Sequence, residues 1–184
     1  MSTFEYLLIF AAIILGLAVS DLAISLHRLL GGGGKVKWDL LSPLAALVAF
    51  LKIVTQWWIW RGTEAMAKGF TFEMFLGLLT STLLLFLLAA SALPDEPGDL
   101  RQHYQAVRQR WWTLFLGHWM LGNAVSIWAQ MQIKGAHLSL LSPAYLLPFV
   151  MISLIIIRSR LWHGICLVGF AGLYLTQFAG QTLG

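Results

Sequence analysis

The sequence predicts an all-α integral membrane protein with six transmembrane helices, and three observations lead to that prediction. The chain of 184 residues is 59% hydrophobic and only 11% charged, whereas soluble domains carry about 25% charged residues. Six long apolar runs make up most of the chain, and each has the roughly 20 residues that a helix needs to cross the hydrocarbon core. The runs do not alternate polar and apolar residues, which disfavours the strands of a membrane barrel.

The six runs follow one another with short connections. They are Tyr6–Leu30, Trp38–Trp60, Phe70–Leu93, Trp111–Ile133, Leu138–Ile157 and Leu161–Leu183. The first run lacks a basic segment before it and stays apolar beyond Ser20, so we expect a membrane span and not a cleaved signal peptide. We therefore expect a single transmembrane domain, residues 1–184.

The distribution of Lys and Arg between the runs predicts the orientation. Eight basic residues lie in the connections after runs one, three and five: Arg28, Lys35, Lys37, Arg101, Arg108, Arg110, Arg158 and Arg160. Three lie on the opposite side: Arg61, Lys68 and Lys134. The positive-inside rule places the first group in the cytoplasm and both termini outside. With a net charge of +4, we expect anionic lipid headgroups as partners and no nucleic acid.

Tryptophans stand at the ends of several runs. An indole ring favours the headgroup level of a bilayer, because its body is apolar and its N–H is polar. We therefore expect interfacial anchors at Trp38, Trp57, Trp58, Trp60, Trp111, Trp112 and Trp162.

Short matches between the halves predict an internal repeat. Residues 15–20 read LGLAVS and residues 121–126 read LGNAVS, while LLSP occurs at both 40–43 and 140–143. Each half has three spans, so the second half would be inserted upside down, as in the inverted repeats common in transporters. The halves would be residues 1–93 and 111–184, linked by the cytoplasmic segment 94–110. A scaffold of two antiparallel three-helix units gives the same pattern.

The connecting segment predicts a short interfacial helix before the fourth run. Asp99 is suited to cap a helix that begins at Leu100. In that helix Leu100, Tyr104 and Trp111 share one face, so it would lie in the cytoplasmic interface and then turn into the fourth span. Basic residues cover the rest of the surface, and we expect them to bind lipid headgroups. These residues are Arg101, Arg108 and Arg110.

Two segments carry a resemblance to a known group of proteins. The LGLAVS segment at residues 15–20 and the PDEPGDLRQHYQAVRQRWW segment at residues 94–112 resemble a group of small uncharacterised bacterial membrane proteins. The resemblance extends along the whole chain as a pattern of spans. It implies a multi-pass protein of the bacterial inner (plasma) membrane, and it implies no activity.

Two ionisable residues lie deep inside the runs, where such groups are costly and mark functional sites. For Asp21, three interpretations are open: an ion pair with Arg28, a polar cavity shared with Ser20, or a protonated carboxyl with no role. For Lys52, the side chain either extends to the outer interface or pairs with a carboxylate inside the bundle.

The fourth run carries a further polar set. Asn123, Ser126 and Gln130 follow one stripe of the helix, and such residues either join neighbouring helices or line a pathway. In the third run, residues 80–82 are Thr, Ser and Thr, whose hydroxyls can bond their own backbone. These three hydroxyls therefore need no partner on another helix.

The leading functional hypothesis is a small inverted-repeat transporter or channel-like protein. Its substrate or ion pathway would pass the polar residues near the midplane, namely Ser20, Asp21, Lys52, Asn123 and Ser126. The alternative is a non-catalytic membrane subunit or scaffold that binds lipid or partner helices, with a homo-oligomer left open. A lipid-modifying enzyme is the third hypothesis, with His103, His118 and His163 as its candidate residues.

No cofactor or metal is expected. The five histidines do not fall in the Cys-x-x-Cys-His or Glu-x-x-His spacings that hold haem or metal ions. No nucleophile and base stand in a recognisable arrangement either, so no catalytic residue is assigned.

Overall fold

The computed structural model describes residues 3–61, 71–131 and 146–177, and within these ranges the protein is helical. A single turn of 3-10 helix at Gly33–Lys35 follows the first helix. The α-helices are α1 (Thr3–Gly31), α2 (Leu41–Arg61), α3 (Phe72–Ala90), α4 (Leu100–Met131), α5 (Leu147–Ile156) and α6 (Arg160–Gln177).

Three of these helices are long and apolar enough to cross a membrane, which makes the chain a helical membrane protein. The spans are Tyr6–Gly31, Leu41–Ile59 and Phe72–Ala90. Large apolar side chains such as Ile13, Leu47 and Leu83 project from them and are exposed, as expected of surfaces that contact lipid.

The remaining three helices follow the predicted runs less completely. α4 contains Trp, His and Asn among its apolar residues, which lowers its mean hydropathy. α5 is apolar but has only 10 residues, and the predicted fifth run extends into residues 138–145, which lie outside the described residues. α6 has 18 residues, and the end of the predicted sixth run also lies outside them.

The helix after the loop at residues 91–99 corrects one prediction. Asp99 caps it as expected, because its Oδ1 accepts the backbone N–H groups of Arg101 at 3.0 Å and Gln102 at 3.1 Å. However, α4 then continues from Leu100 to Met131 without interruption, so the predicted turn between an interfacial helix and the fourth run is wrong. No proline lies between these residues to break the helix.

The apolar face of the first turns of α4 packs into the bundle. Leu100, Tyr104, Trp111 and Trp112 are almost fully buried. The rings of Trp111 and Trp112 meet edge to face with their centroids 4.7 Å apart, and Trp112 also contacts Phe170 of α6. The predicted interfacial anchoring of these two tryptophans is therefore wrong, since both belong to the core.

The helices pack in an order that gives the repeat no support. α1 packs against α3, α3 against α4, α4 against α5, and α2 against α6. An inverted repeat would match the α1–α3 contact with an α4–α6 contact, but the principal neighbours of α4 are α3 and α5. The comparison of Pro43 with Pro143 lies outside the described residues.

One end of the bundle, which we call the arginine end, carries Arg28, Arg101, Arg108, Arg158 and Arg160. Two loops meet there, since the Lys37 N–H donates to the Gly98 carbonyl at 3.0 Å and the Leu100 N–H donates to the Lys37 carbonyl at 3.1 Å. A Cβ atom on Gly32 would lie 2.8 Å from the Pro97 side chain. Glycine is therefore required where α1 leaves the bundle and passes the loop that leads to α4.

Candidate anion-binding pocket

A cavity of about 390 Å³ opens at the arginine end, and its volume lies in the range of small-molecule sites, about 300–1,000 Å³. The first three turns of α4 form one wall, and the turn between α5 and α6 forms the other. Arginines and glutamines predominate among its lining residues, which include no Asp or Glu. They are Leu41, Arg101, Tyr104, Gln105, Arg108, Gln109, Arg158, Arg160 and His163.

Helical spacing explains the wall formed by α4. Arg101, Gln105 and Arg108 lie four and three residues apart, so their side chains project from one face of the helix. Gln109 follows at the next step of the same stripe. The opposite wall comes from a short connection, in which Arg158 lies between the helices and Arg160 begins α6. The two walls thus place guanidinium groups on both sides of one opening.

Arg108 is buried and stabilises the end of α5. Its Nη1 donates to the carbonyl oxygens of Leu154 at 3.5 Å, Ile155 at 3.3 Å and Ile157 at 3.3 Å. The last carbonyls of a helix have no intrahelical donor and form the negative end of its dipole, so a cation is favourable there. These carbonyls are dipoles and not ions, and the full charge of Arg108 is therefore still felt in the pocket.

The other three arginines differ in their partners. Arg160 forms an ion pair with Asp39, whose Oδ1 also accepts the Leu41 N–H at the start of α2, at 3.1 Å. Arg101 and Arg158 are exposed, and neither guanidinium has a hydrogen-bond or ion-pair partner among the described residues. These two side chains are available to an incoming ligand.

A fully bonded aromatic network forms the floor of the pocket. The His163 Nε2 donates to the Ile157 carbonyl at 2.9 Å, so its Nδ1 is the unprotonated nitrogen and accepts the Tyr104 hydroxyl at 2.8 Å. The Trp112 Nε1–H lies 3.2 Å from the same Nδ1 and 3.3 Å from the Tyr104 oxygen. Burial raises the pKa of Tyr104 to about 12, which keeps this hydroxyl neutral and able to donate.

The structure does not bring Asp21 to its predicted partners. Asp21 is half-buried on α1, and in the described ranges no ion pair joins it to Arg28 or to Lys52. The Arg28 Nη1 instead donates to the Asp95 carbonyl at 3.4 Å, and the described residues show no Asp21–Arg28 pair. Ser20 is exposed and does not line the pocket at the arginine end.

Lys52 lies inside the bundle without a carboxylate. Its Nζ donates to the Gln56 Oε1 at 3.1 Å and lies 5.8 Å from the centre of the Tyr174 ring. Pairing with an acid is not seen among the described residues, where Lys52 instead forms a hydrogen bond within its own helix and a cation–π contact. Gln56 lies one turn nearer the predicted outer end of α2, so extension of the side chain towards that interface stays a prediction.

The predicted polar set on α4 lies away from the pocket at the arginine end. The Asn123 side chain donates to the Trp119 carbonyl of its own helix at 2.8 Å, and Ser126 is half-buried one turn further on. Ser81 has a partner on α4, because its hydroxyl and carbonyl oxygens lie 3.0 and 2.9 Å from the His118 Nδ1. Neither the basic pocket nor an apolar groove of about 350 Å³ between α1 and α2 is lined by these residues.

The three arginines that were predicted to bind lipid headgroups differ in their position relative to the pocket. Arg101 and Arg108 line the pocket, whereas Arg110 is exposed on the same helix and is not among the lining residues. Sequence analysis missed Arg158 and Arg160 as site residues and used them only to predict orientation. Within the described ranges, no three His, Cys, Asp or Glu side chains converge as metal ligands.

Comparison of the chain with protein-family models, with curated proteins and with solved structures finds no match.

Proposed function

We propose that the protein is a non-catalytic multi-pass membrane protein that binds an anionic lipid headgroup in the pocket at the arginine end. The observation that carries this proposal is a pair of guanidinium groups, Arg101 and Arg158, that line the cavity from opposite walls and have no partner within residues 3–61, 71–131 and 146–177. Basic pockets between transmembrane helices on the cytoplasmic side are suited to phosphate-bearing lipid headgroups. Arginine suits this role because its planar fork binds phosphate through two parallel hydrogen bonds.

The test is a binding measurement on the full chain in micelles of a neutral detergent, titrated with an anionic phospholipid. We expect the double variant Arg101→Gln/Arg158→Gln to bind at least about tenfold more weakly, since a hydrogen bond to a charged group contributes about 1.5–3 kcal/mol and 1.4 kcal/mol is tenfold. Both residues are exposed, so the fold should be retained.

Arg110→Gln provides the matched control for this measurement. It removes the same charge from the same helix but outside the pocket, and we expect it to change the affinity less than about twofold because exposed charges are screened. Equal losses of affinity in the control and the double variant would contradict binding in the pocket. They would indicate that the lipid is attracted only by the charge of the protein surface.

For the membrane arrangement we propose six spans in the bacterial inner membrane, with the arginine end in the cytoplasm and both termini outside. The proposal rests on the excess of Lys and Arg at that end. In single-cysteine variants made on Cys166→Ala, a membrane-impermeant thiol reagent added outside intact cells should label positions 63 and 135. Positions 37 and 98 should react only after the cells are opened, and the reverse pattern would invert the orientation.

Transport is the second candidate, and the observation that favours it is the ammonium group of Lys52 inside a span. A pathway past Lys52 would make a cysteine at position 52 reachable by the impermeant reagent from one side of the membrane. A bundle sealed around the Gln56 and Tyr174 contacts would protect that cysteine from both sides, which would count against transport. The same comparison at Asp21 tests the other ionisable residue of the predicted pathway.

A further inference from the structure

We infer that the pocket selects a doubly charged phosphate group, as in a phosphomonoester or a diphosphate, over the singly charged phosphodiester of common phospholipids. This inference rests on the proposed function, because it specifies which anionic headgroup the same pocket takes. The shared chemistry is a terminal phosphate, either on a membrane lipid or on a soluble molecule.

The charges around the cavity favour a dianion. Four arginine side chains line it, and in the part of the chain that the structure describes one carboxylate is bonded to them, that of Asp39 through Arg160. Three positive charges are therefore left uncompensated among the described residues. The nearby carboxylate of Asp99 is committed elsewhere, since it caps α4 and lies 3.9 Å from the Lys37 ammonium.

The other titratable side chains that face the cavity contribute no charge. His163 is bonded as a neutral ring, with Nε2 donating to Ile157 and Nδ1 accepting from Tyr104. The Tyr104 hydroxyl is itself the donor in that bond. A singly charged ligand would thus leave two positive charges unbalanced, whereas a dianion leaves one.

Burial strengthens the preference. Arg108 is only 8% exposed, and a cation in such a position interacts more strongly with a nearby anion than a solvated cation does. Its hydrogen-bond partners in the described part of the chain are neutral carbonyls, so no carboxylate there is paired directly with its charge. The gain grows with the charge of the ligand, because the Coulomb energy is proportional to it.

The number of acceptor oxygens points the same way. A terminal phosphate offers three strong acceptor oxygens, whereas a phosphodiester has two that are not esterified. The cavity presents the forked donors of Arg101 and Arg158 from opposite walls, with the amides of Gln105 and Gln109 beside them. Three oxygens offer these donors one more acceptor than two do, and the N-terminus of the 18-residue helix α6 adds a favourable dipole.

The experiment compares two lipids on the full chain in micelles of a neutral detergent: phosphatidate, a phosphomonoester, and phosphatidylglycerol, a phosphodiester. Affinity is measured by titration, with ligand-dependent thermal stabilisation as an independent readout. We expect phosphatidate to bind at least about tenfold more tightly, the equivalent of one additional charge-assisted hydrogen bond. Arg158→Gln should bring this ratio towards one, and Arg110→Gln should preserve it.

The other possible outcomes distinguish failure of the inferred selectivity from failure of the proposed function. Equal affinity for the two lipids, still lost in Arg101→Gln/Arg158→Gln, would overturn the selectivity and leave headgroup binding intact. If neither lipid shows binding that depends on Arg101 and Arg158, the proposed function is overturned. Glycerol phosphate that competes as strongly as phosphatidate would support recognition of a terminal phosphate, assign the ligand to the soluble phase and overturn the lipid source.

Unliganded thermal stability provides the control for folding. Arg101→Gln and Arg158→Gln should unfold at the same temperature as the unaltered protein when no ligand is present, because neither guanidinium has a bonding partner among the described residues. A loss of affinity together with unchanged unliganded stability would support a direct contact with the ligand. A large loss of unliganded stability would overturn the assignment of these side chains as free.

Discussion

Replacing Arg108 with methionine is expected to destabilise the protein by about 2–3 kcal/mol, since hydrogen bonds to charged groups each contribute about 1.5–3 kcal/mol. Methionine fills much of the same volume but offers no donor to the carbonyls of Leu154, Ile155 and Ile157. Relief from burying a charge offsets part of this loss, but the unpaired carbonyls at the negative end of α5 outweigh it. Thermal unfolding in a neutral detergent measures the effect.

Two further variants separate charge from hydrogen bonding. Arg108→Lys keeps the charge but loses the planar fork, so we expect an intermediate loss of stability. Arg110→Met removes an exposed charge from the same helix, and it should change the stability by less than about 0.5 kcal/mol. An unfolding temperature for Arg108→Met equal to that of Arg110→Met would show that the end of α5 does not depend on the guanidinium.

The role of Arg108 shows why the sequence predicted only part of the site. The basic stripe before the fourth run directs attention to Arg101 and Arg108, which line the cavity. Their counterparts across the cavity, Arg158 and Arg160, follow after about fifty residues, and the Arg108 contacts span 46 to 49 residues along the chain. No periodicity in the sequence encodes which helix end will lie against which helix face, so the opposite wall could not be predicted.

The incorrect prediction that the first turns of α4 lie in the lipid interface has a related physical cause. Local signals predicted the start of α4, because the Asp99 cap depends only on residues within three positions. The apolar face of Leu100, Tyr104 and Trp111 is equally compatible with a lipid interface and with a neighbouring helix, since both bury apolar area. The sequence thus predicts that the helix is amphipathic but not what covers it. In the structure, other helices do.

The depth of a residue along a helix is likewise easier to predict than the direction in which its side chain points. Counting residues from the helix ends correctly places Asp21 and Lys52 deep within α1 and α2, because the rise per residue is fixed. Whether two such side chains meet depends on how each helix is rotated about its axis. That rotation is set by packing of the whole bundle, and in the structure Lys52 contacts Gln56 and Tyr174 instead.

Replacing His163 with leucine is expected to have the largest effect on stability, about 3–4 kcal/mol. His163 is 2% exposed, and its ring bonds the Tyr104 hydroxyl, the Trp112 N–H and the Ile157 carbonyl. Leucine fills the space but bonds none of these, and each buried polar group left without a partner costs about 1–3 kcal/mol. Trp112 and Tyr104 can still bond each other, which limits the loss.

Tyr104→Phe is the graded comparison, because it removes one hydroxyl and leaves the Trp112 N–H within 3.2 Å of the His163 Nδ1. We expect this variant to lose only about 1 kcal/mol, the net value of a typical hydrogen bond. His163→Leu should also weaken anion binding, since the bond to Ile157 positions the residue just before Arg158, whereas Tyr104→Phe should leave that affinity nearly unchanged. Equal effects of the two variants on stability and affinity would mean that the Ile157 contact of His163 contributes little, and that the network only fills the core beneath the pocket.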